Sequence, residues 1–298
     1  MSKKNILDPE KDRELRKRFK ITKAKDKTFK IIGILMALLS IFMFYKGNGF
    51  TGSILLIVGL IGCLLASLKN KSHFKTALSV DLIPNAFRNI FDDFDYQPKG
   101  CIEKEIIKNT DMGFPFSMSS IDVINGDDFV RGSYNGVDFE VSNIQLQRRD
   151  TSDIAEYNDD SLFNGQWISC DFKKSFTVDA VFSKNRPGAV TRSGRIKTDS
   201  DEFNDYYSVY SDDKDELLRL LTPHMMKFLI SLDKNAWGDT YFHFKKDGKV
   251  YIATESNRDL FELDRIAHQD YDQLNEQING EVRYIAYLIK KLKHSLFN

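Results

Sequence analysis

Two uninterrupted apolar runs stand near the start of the chain, and beyond them the pattern breaks into short alternating and helical stretches. Residues 31–45 and 51–68 contain no charged side chain; their polarity is confined to Gly, Ser, Thr, Tyr and one Cys. A membrane span takes about 20 apolar residues to cross about 30 Å of hydrocarbon. The first run is short by that measure. Phe29 and Tyr45 extend it into the interfaces, with Lys30 and Lys46 reaching outward. The pattern predicts a transmembrane helical hairpin over 31–68, preceded by a basic segment over 1–30. The link "GNGFTG" spells G-x-G-x-x-G, but a dinucleotide turn needs a strand before it and an acidic residue about 20 positions after it. No Asp or Glu lies between Asp26 and Asp81. The six residues are read as the turn between two spans.

From residue 69 the signals change. "HFKTALSVDLIPNAFRNIFDDF" reads as one or two helices broken near Pro84, within a juxtamembrane linker over 69–100 that ends in a possible hinge, "YQPKGC". A soluble α+β domain is expected over 101–298, with length enough for one sizeable core or two small ones. In it, Asn135-Gly136 sits between two alternating runs, a strong hairpin signal. Val137, Phe139 and Val141 share one face, then the phase flips to Ile144 and Leu146, which predicts a bulge or break near Ser142-Asn143. Asn164-Gly165 offers another turn signal, and Asp247-Gly248 a further hairpin. The polar stretch between Asn185 and Phe203 reads as a loop. Thr222-Pro223 pairs an N-cap with a first-turn proline, so a fresh helix starts there. The chain closes on a helix with Leu274, Ile278, Val282, Ile285, Ile289, Leu292 and Leu296 at helical spacing. Its basic end, "KKLKH", suits the negative pole of a helix dipole or contact with lipid. The fold class is α+β: a two-helix transmembrane hairpin, then a mainly antiparallel β domain with flanking helices.

Charge adds an orientation. The chain has 43 basic and 43 acidic residues, yet residues 1–75 hold 16 of the former and 5 of the latter. A basic anchor is therefore joined to an acidic domain. Positive residues collect on the cytoplasmic side, so both termini are expected inside, in an inner membrane, with 46–50 outside. The anchor should hold membrane lipids through residues 1–75. The acidic domain argues against nucleic acid and for a protein partner. Gly52, Gly59, Gly62 and Ala66 give the second run a small face on which homo-oligomers could form, or which could simply pack on the first run.

Candidate chemistry does not converge. Cys63, Cys101 and Cys170 form no C-x-x-C, and so sparse a count suits a reducing cytosol. His73, His224, His243, His268 and His294 form no metal motif. His243, between Phe242 and Phe244, is expected to face solvent beside Tyr241 and Lys245. A Cys170–His243 pair can be imagined, but Asp171 would point away from Cys170. "DDFD" (92–95), "NDD" (158–160) and "DKNAWGD" (233–239) resemble calcium sequences, although Phe244 replaces the bidentate acid of the last. Ser231 and Lys234 give S-x-x-K without its companion motifs. No catalytic, cofactor-binding or metal residue is assigned, and no cofactor is expected.

"YNGVDFEVSNIQLQ", "FNGQWISCDFKKSF" and "VYSDDKDELLRLLTPHMMKFL", followed by "GKVYIA", resemble the bacterial membrane-anchored family catalogued as domain of unknown function 3137. The resemblance covers roughly residues 75 to 265 and implies a fold and a membrane address, with no activity. The leading expectation is a membrane-tethered interaction or scaffold module with exposed aromatics such as "DYYSVY". The alternatives are a membrane-surface enzyme acting on lipid or peptide through Cys170 or a His, and a membrane-perturbing stress or defence effector with a sensing domain.

Overall fold

The computed structural model describes residues 9–91, 93–149, 160–185, 193–236, 238–256, 258, 260–261 and 270–297. They form two compact units. The first takes Met1–Asn89 with Leu263–Asn279, the second Ile90–Glu262 with Gly280–Asn298.

The first unit is a pair of long helices, α1 (Pro9–Tyr45) and α2 (Gly49–Arg88), joined by a turn at Lys46–Asn48. Gly47 has φ 79°, so the fingerprint-like stretch reverses a helix as expected and opens no strand–helix turn. Both helices are long and apolar enough to cross a membrane, and their apolar windows are scarcely buried. Gly52 and Gly59 lie against α1. A Cβ at Gly52 would stand 3.1 Å from the Ser40 carbonyl, and one at Gly59 2.8 Å from Met36 Sδ. Ser40 Oγ donates to Gly52 O at 2.7 Å. These two glycines therefore serve the hairpin itself, whereas a Cβ at Gly62 meets nothing. The expected break at Pro84 does not occur: α2 runs through it to Arg88. The proline removes one bond in the last turns of the helix. In the same unit, α7 (Tyr271–Phe297) begins against α1. The Arg16 guanidinium lies over the Tyr271 ring at 4.6 Å and reaches Asp272 at 2.7 Å, while Tyr271 Oη donates to Asp12 at 2.9 Å.

The second unit is built on one eight-stranded antiparallel sheet in the order β1-β2-β3-β4-β8-β7-β5-β6. Its strands are β1 (Asp93–Gln97), β2 (Val123–Tyr134), β3 (Val137–Arg148), β4 (Asp160–Asp171), β5 (Ala180–Lys184), β6 (Tyr207–Ser211), β7 (Asp239–Phe244) and β8 (Lys249–Glu255). Helices α3 (Lys104–Lys108), α4 (Asp201–Tyr206), α5 (Lys214–Leu220) and α6 (Pro223–Asn235) fill the connections. Both expected hairpins are present. Asn135 and Gly136 take φ 53° and 73°, and Gly248 takes 91°. Thr222 caps α6 by accepting the Met225 N–H, as read. Asn164-Gly165, in contrast, makes no turn and lies inside β4. A Cβ at Gly165 would stand 2.0 Å from Thr254 O of the paired strand, so the glycine is there for a close backbone approach.

The phase flip in β3 has a different cause from the one expected. β3 pairs with β4 without interruption through Ser142 and Asn143. The bulge lies on the neighbouring strand, where the β2 register shifts between Asp127 and Val130 around Asp128 at φ 52°. The flip marks a change in which side of the sheet is covered. Val137, Phe139 and Val141 belong to one face, the Phe139 face, which packs Val250, Ile252, Phe242 and Phe182 along paired rows. Ile144 and Leu146 belong to the other, the Trp167 face, with Phe163, Trp167, Tyr241 and Ala253, under Ile102, Ile107, Met112 and Phe114 of the α3 segment. The two polar residues at the flip anchor the covering chain. Ser142 Oγ accepts the Ile102 N–H at 3.3 Å on one side. On the other, Asn143 Oδ1 accepts the Leu260 N–H at 2.6 Å and its amide donates to Asp127 at 2.8 Å.

Asn143→Ala should cost about 1–3 kcal/mol by orphaning the Leu260 N–H and the bulge acids. Gly165→Ala should cost about 3 kcal/mol through backbone overlap. Chemical denaturation of the full chain followed by tryptophan fluorescence checks both.

Candidate functional site

Coverage of the Trp167 face stops short. The α3 segment lies over its Ile144 end, and toward the Gly136 and Gly248 turns the face carries two rows of polar residues. One runs Asp95–Arg131–Glu140–Ser169–Tyr251, the other Asp93–Ser133–Asp138–Asp171–Lys249, each residue paired across a strand boundary. They line a trough of ≈ 590 Å³ walled by Ile106 of α3. Five carboxylates line it against two cations, Arg131 and Lys249. Arg131 meets Asp95 at 3.2 Å, and Lys173 reaches Asp138 at 2.8 Å. The Glu140 carboxylate, at the centre, makes no ion pair or hydrogen bond among the described residues. Burial, then the nearby Glu103 charge, push its carboxyl above the ordinary range, while Lys249 and Arg131 pull it back. Tyr251 is pushed up as well, mainly by burial.

The first row continues to His243, whose ring centre is 6.4 Å from that of Tyr251. His243 does not face solvent as expected. It is buried, its Nε2 2.8 Å from Asp179 Oδ1, with no partner for Nδ1 among the described residues. The strand alternation was read correctly, but this stretch of the Trp167 face is covered rather than wet. Cys170 lies in the Phe139 row, paired with Phe139 and Val250, and so on the opposite face from His243. Complete burial pushes its thiol up to about 12. The imagined nucleophile pair is thus split by the pleat, and Asp171 lines the trough on the side away from Cys170.

The other candidates have local partners. Asp233 and Asp239 gather around Lys184, which forms a buried ion pair with Asp233 and lies over the Tyr206 and Tyr207 rings. A lysine ammonium occupies the place that a calcium reading would give to an ion. Lys234 pairs with Glu202 at 3.1 Å, and the Ser231 hydroxyl is met by the Asn235 amide, so S-x-x-K forms no dyad. His224 and His294 come together with ring centres 6.3 Å apart, a proximity that sequence spacing could not reveal. In "DYYSVY", Tyr207 is fully buried and Tyr206 and Tyr210 half-buried, which corrects their reading as exposed aromatics. Asp92, Asn158, Asp159, His268 and the side chain of His73 lie outside the described residues. Among the described residues no three His, Cys, Asp or Glu side chains are placed to hold a metal ion.

Comparison with known proteins bears on this unit. Residues 161–294 match the family model described as protein of unknown function (DUF3137). The DUF3137 match begins in β4 and ends in the last turns of α7, so it takes in the terminal helix and stops short of the 75–160 stretch that the sequence resemblance had covered. No curated protein and no solved structure matches the chain. Within the DUF3137 segment lie the Tyr251, Asp171 and Lys249 side of the trough, whereas Asp93, Asp95, Arg131, Asp138 and Glu140 precede it.

Glu140→Gln tests the electrostatics of the trough. A carboxyl raised in the folded state favours folding at low pH, and that advantage is lost as pH rises through its folded value. The variant should therefore melt higher than the parent at pH 7, and the difference should vanish below the ordinary carboxylate range. Melting temperatures across pH 3.5–7.5 check it (a range set by the glutamate reference value, about 4.3). Cys170 should also resist maleimide in the native chain and react only on unfolding, followed by peptide mass spectrometry.

Proposed function

We propose that the chain is a membrane-tethered module whose α+β unit faces the cytosol and binds a protein partner. The observation that supports this most directly is the trough: a concave strip that reaches across five strands, open along the Asp93–Ser133–Asp138–Asp171–Lys249 row and lined with side chains of one dominant sign. Binding sites are concave and carry convergent polar groups, and an exposed strip of this kind is what a partner would cover. The hairpin contributes the tether. Its exposed apolar side chains and flanking lysines fit lipid contact, and the basic excess over residues 1–75 fits a cytoplasmic location for both termini in an inner membrane. Self-association of the hairpin would use Gly62 and Ala66, because Gly52 and Gly59 are committed to α1. An enzyme built on Cys170 has little support, given the burial of that thiol.

A photo-crosslinking amino acid placed at Asp138 in the full-length chain, expressed in its own cells, tests the reading. The expected outcome is a discrete adduct that is absent when the crosslinker stands on exposed Lys227 of α6. Sidedness is read by an impermeant maleimide on Cys101, expected to label only after the cytosolic face is opened. Labelling in intact cells would place the domain outside and overturn the orientation.

A further inference from the structure

The arrangement of the trough points to the chemistry of its occupant, and this inference rests on the interaction reading above. The carboxylates are dispersed. Asp93 and Asp95 stand on β1, Asp138 and Glu140 on β3, and Asp171 on β4, and among the described residues no three of them gather at a point where a metal ion would sit. With neighbouring strands about 4.8 Å apart, the distance from β1 to β8 is about 19 Å. An extended chain advances about 3.3 Å per residue, so about six residues cross it. Beside the charges lies the half-buried Ile106, a surface on which the aliphatic stems of Lys or Arg settle well. Glu140 is the central carboxylate and has no ion pair among the described residues, whereas Asp95 and Asp138 already hold the nearby Arg131 and Lys173. A point cation would satisfy one site and leave the others. A linear array of positive side chains meets all of them.

We infer that the trough binds an extended, Lys/Arg-bearing segment of a partner protein, about six residues long, laid across β1, β2, β3, β4 and β8 with a basic side chain at Glu140. Charge complementarity supplies the sign, and the spread of carboxylates over separate strands supplies the length. The apolar wall at Ile106 and the breadth of the charged strip favour a peptide over a small polyamine.

The test uses the full chain in nanodiscs of phosphatidylcholine, which give a basic peptide no anionic surface, with empty nanodiscs as control. The probe is a fluorescein-labelled RVRVRV hexapeptide, read by anisotropy against EVEVEV and spermine. Saturable RVRVRV binding is expected, weakened about tenfold by Glu140→Lys and unchanged by Asp205→Lys, a matched charge change on α4. Glu140→Gln, which should keep the fold intact, is expected to weaken it about threefold. Equal losses from Glu140→Lys and Asp205→Lys, equal binding of EVEVEV, or binding of spermine without the hexapeptide would each overturn the inference. The crosslink from position 138 separates this failure from that of the wider reading. An adduct to a partner segment lacking basic residues removes the cationic occupant and keeps the interaction module, whereas no adduct from any position on the unit removes both.

Discussion

The second unit depends on one constraint: a pleated strand sends alternate side chains to opposite faces, so a strand that is apolar on both must be covered on both. β3 and β4 are such strands. Their Val137, Phe139, Val141, Ile168 and Cys170 belong to the Phe139 face, and Ile144, Leu146, Phe163 and Trp167 to the side roofed by the α3 segment. Because the two apolar sets are offset along the strands, the roof needs to cover only one end of the Trp167 face. The other end stays polar and open. The trough follows from where the core stops.

The same constraint explains which polar residues are buried. Ser142 and Asn143 stand where the apolar phase changes sides, each aimed at a different face, and each accepts a backbone N–H from the chain that covers its face. A hydroxyl and an amide at these places would otherwise be costly. Here they fix where the roof and the Leu260 turn attach. The bulge around Asp128 belongs to this arrangement, because Asn143 reaches across to Asp127 and Asp128.

Much of the architecture was legible in the sequence where the signal is local. Two charge-free runs, Asn135-Gly136, Asp247-Gly248, Thr222-Pro223 and the Leu274–Leu292 stripe each specify an element through their own chemistry. What was not legible depends on distant partners. Asn164-Gly165 carries the same letters as a turn, yet it is a glycine on which the Thr254 carbonyl closes. β1 is five residues of modest alternation, "DFDYQ", too short to separate from the helix before it. Pro84 was given too much weight, because a proline near a helix end costs one hydrogen bond rather than the helix. The phase flip was seen and assigned to the wrong strand. The trough itself was invisible, since Asp95, Glu140 and Asp171 lie far apart in the chain and become neighbours only through strand order. Nothing in their local sequence sets them apart from other solvated acids.

The function and the occupant both rest on a Trp167 face that is roofed at one end and open at the other. Carbodiimide footprinting of carboxylates in the native full chain, read by peptide mass spectrometry, addresses this without assuming any partner. Rapid modification of Asp93, Asp138 and Asp171 is expected, with slower but definite modification of Glu140, while Asp128 and Asp233 stay protected until the chain unfolds. Protection of all the trough acids in the isolated protein, at the level of Asp233, would contradict it, because that face would then already be covered.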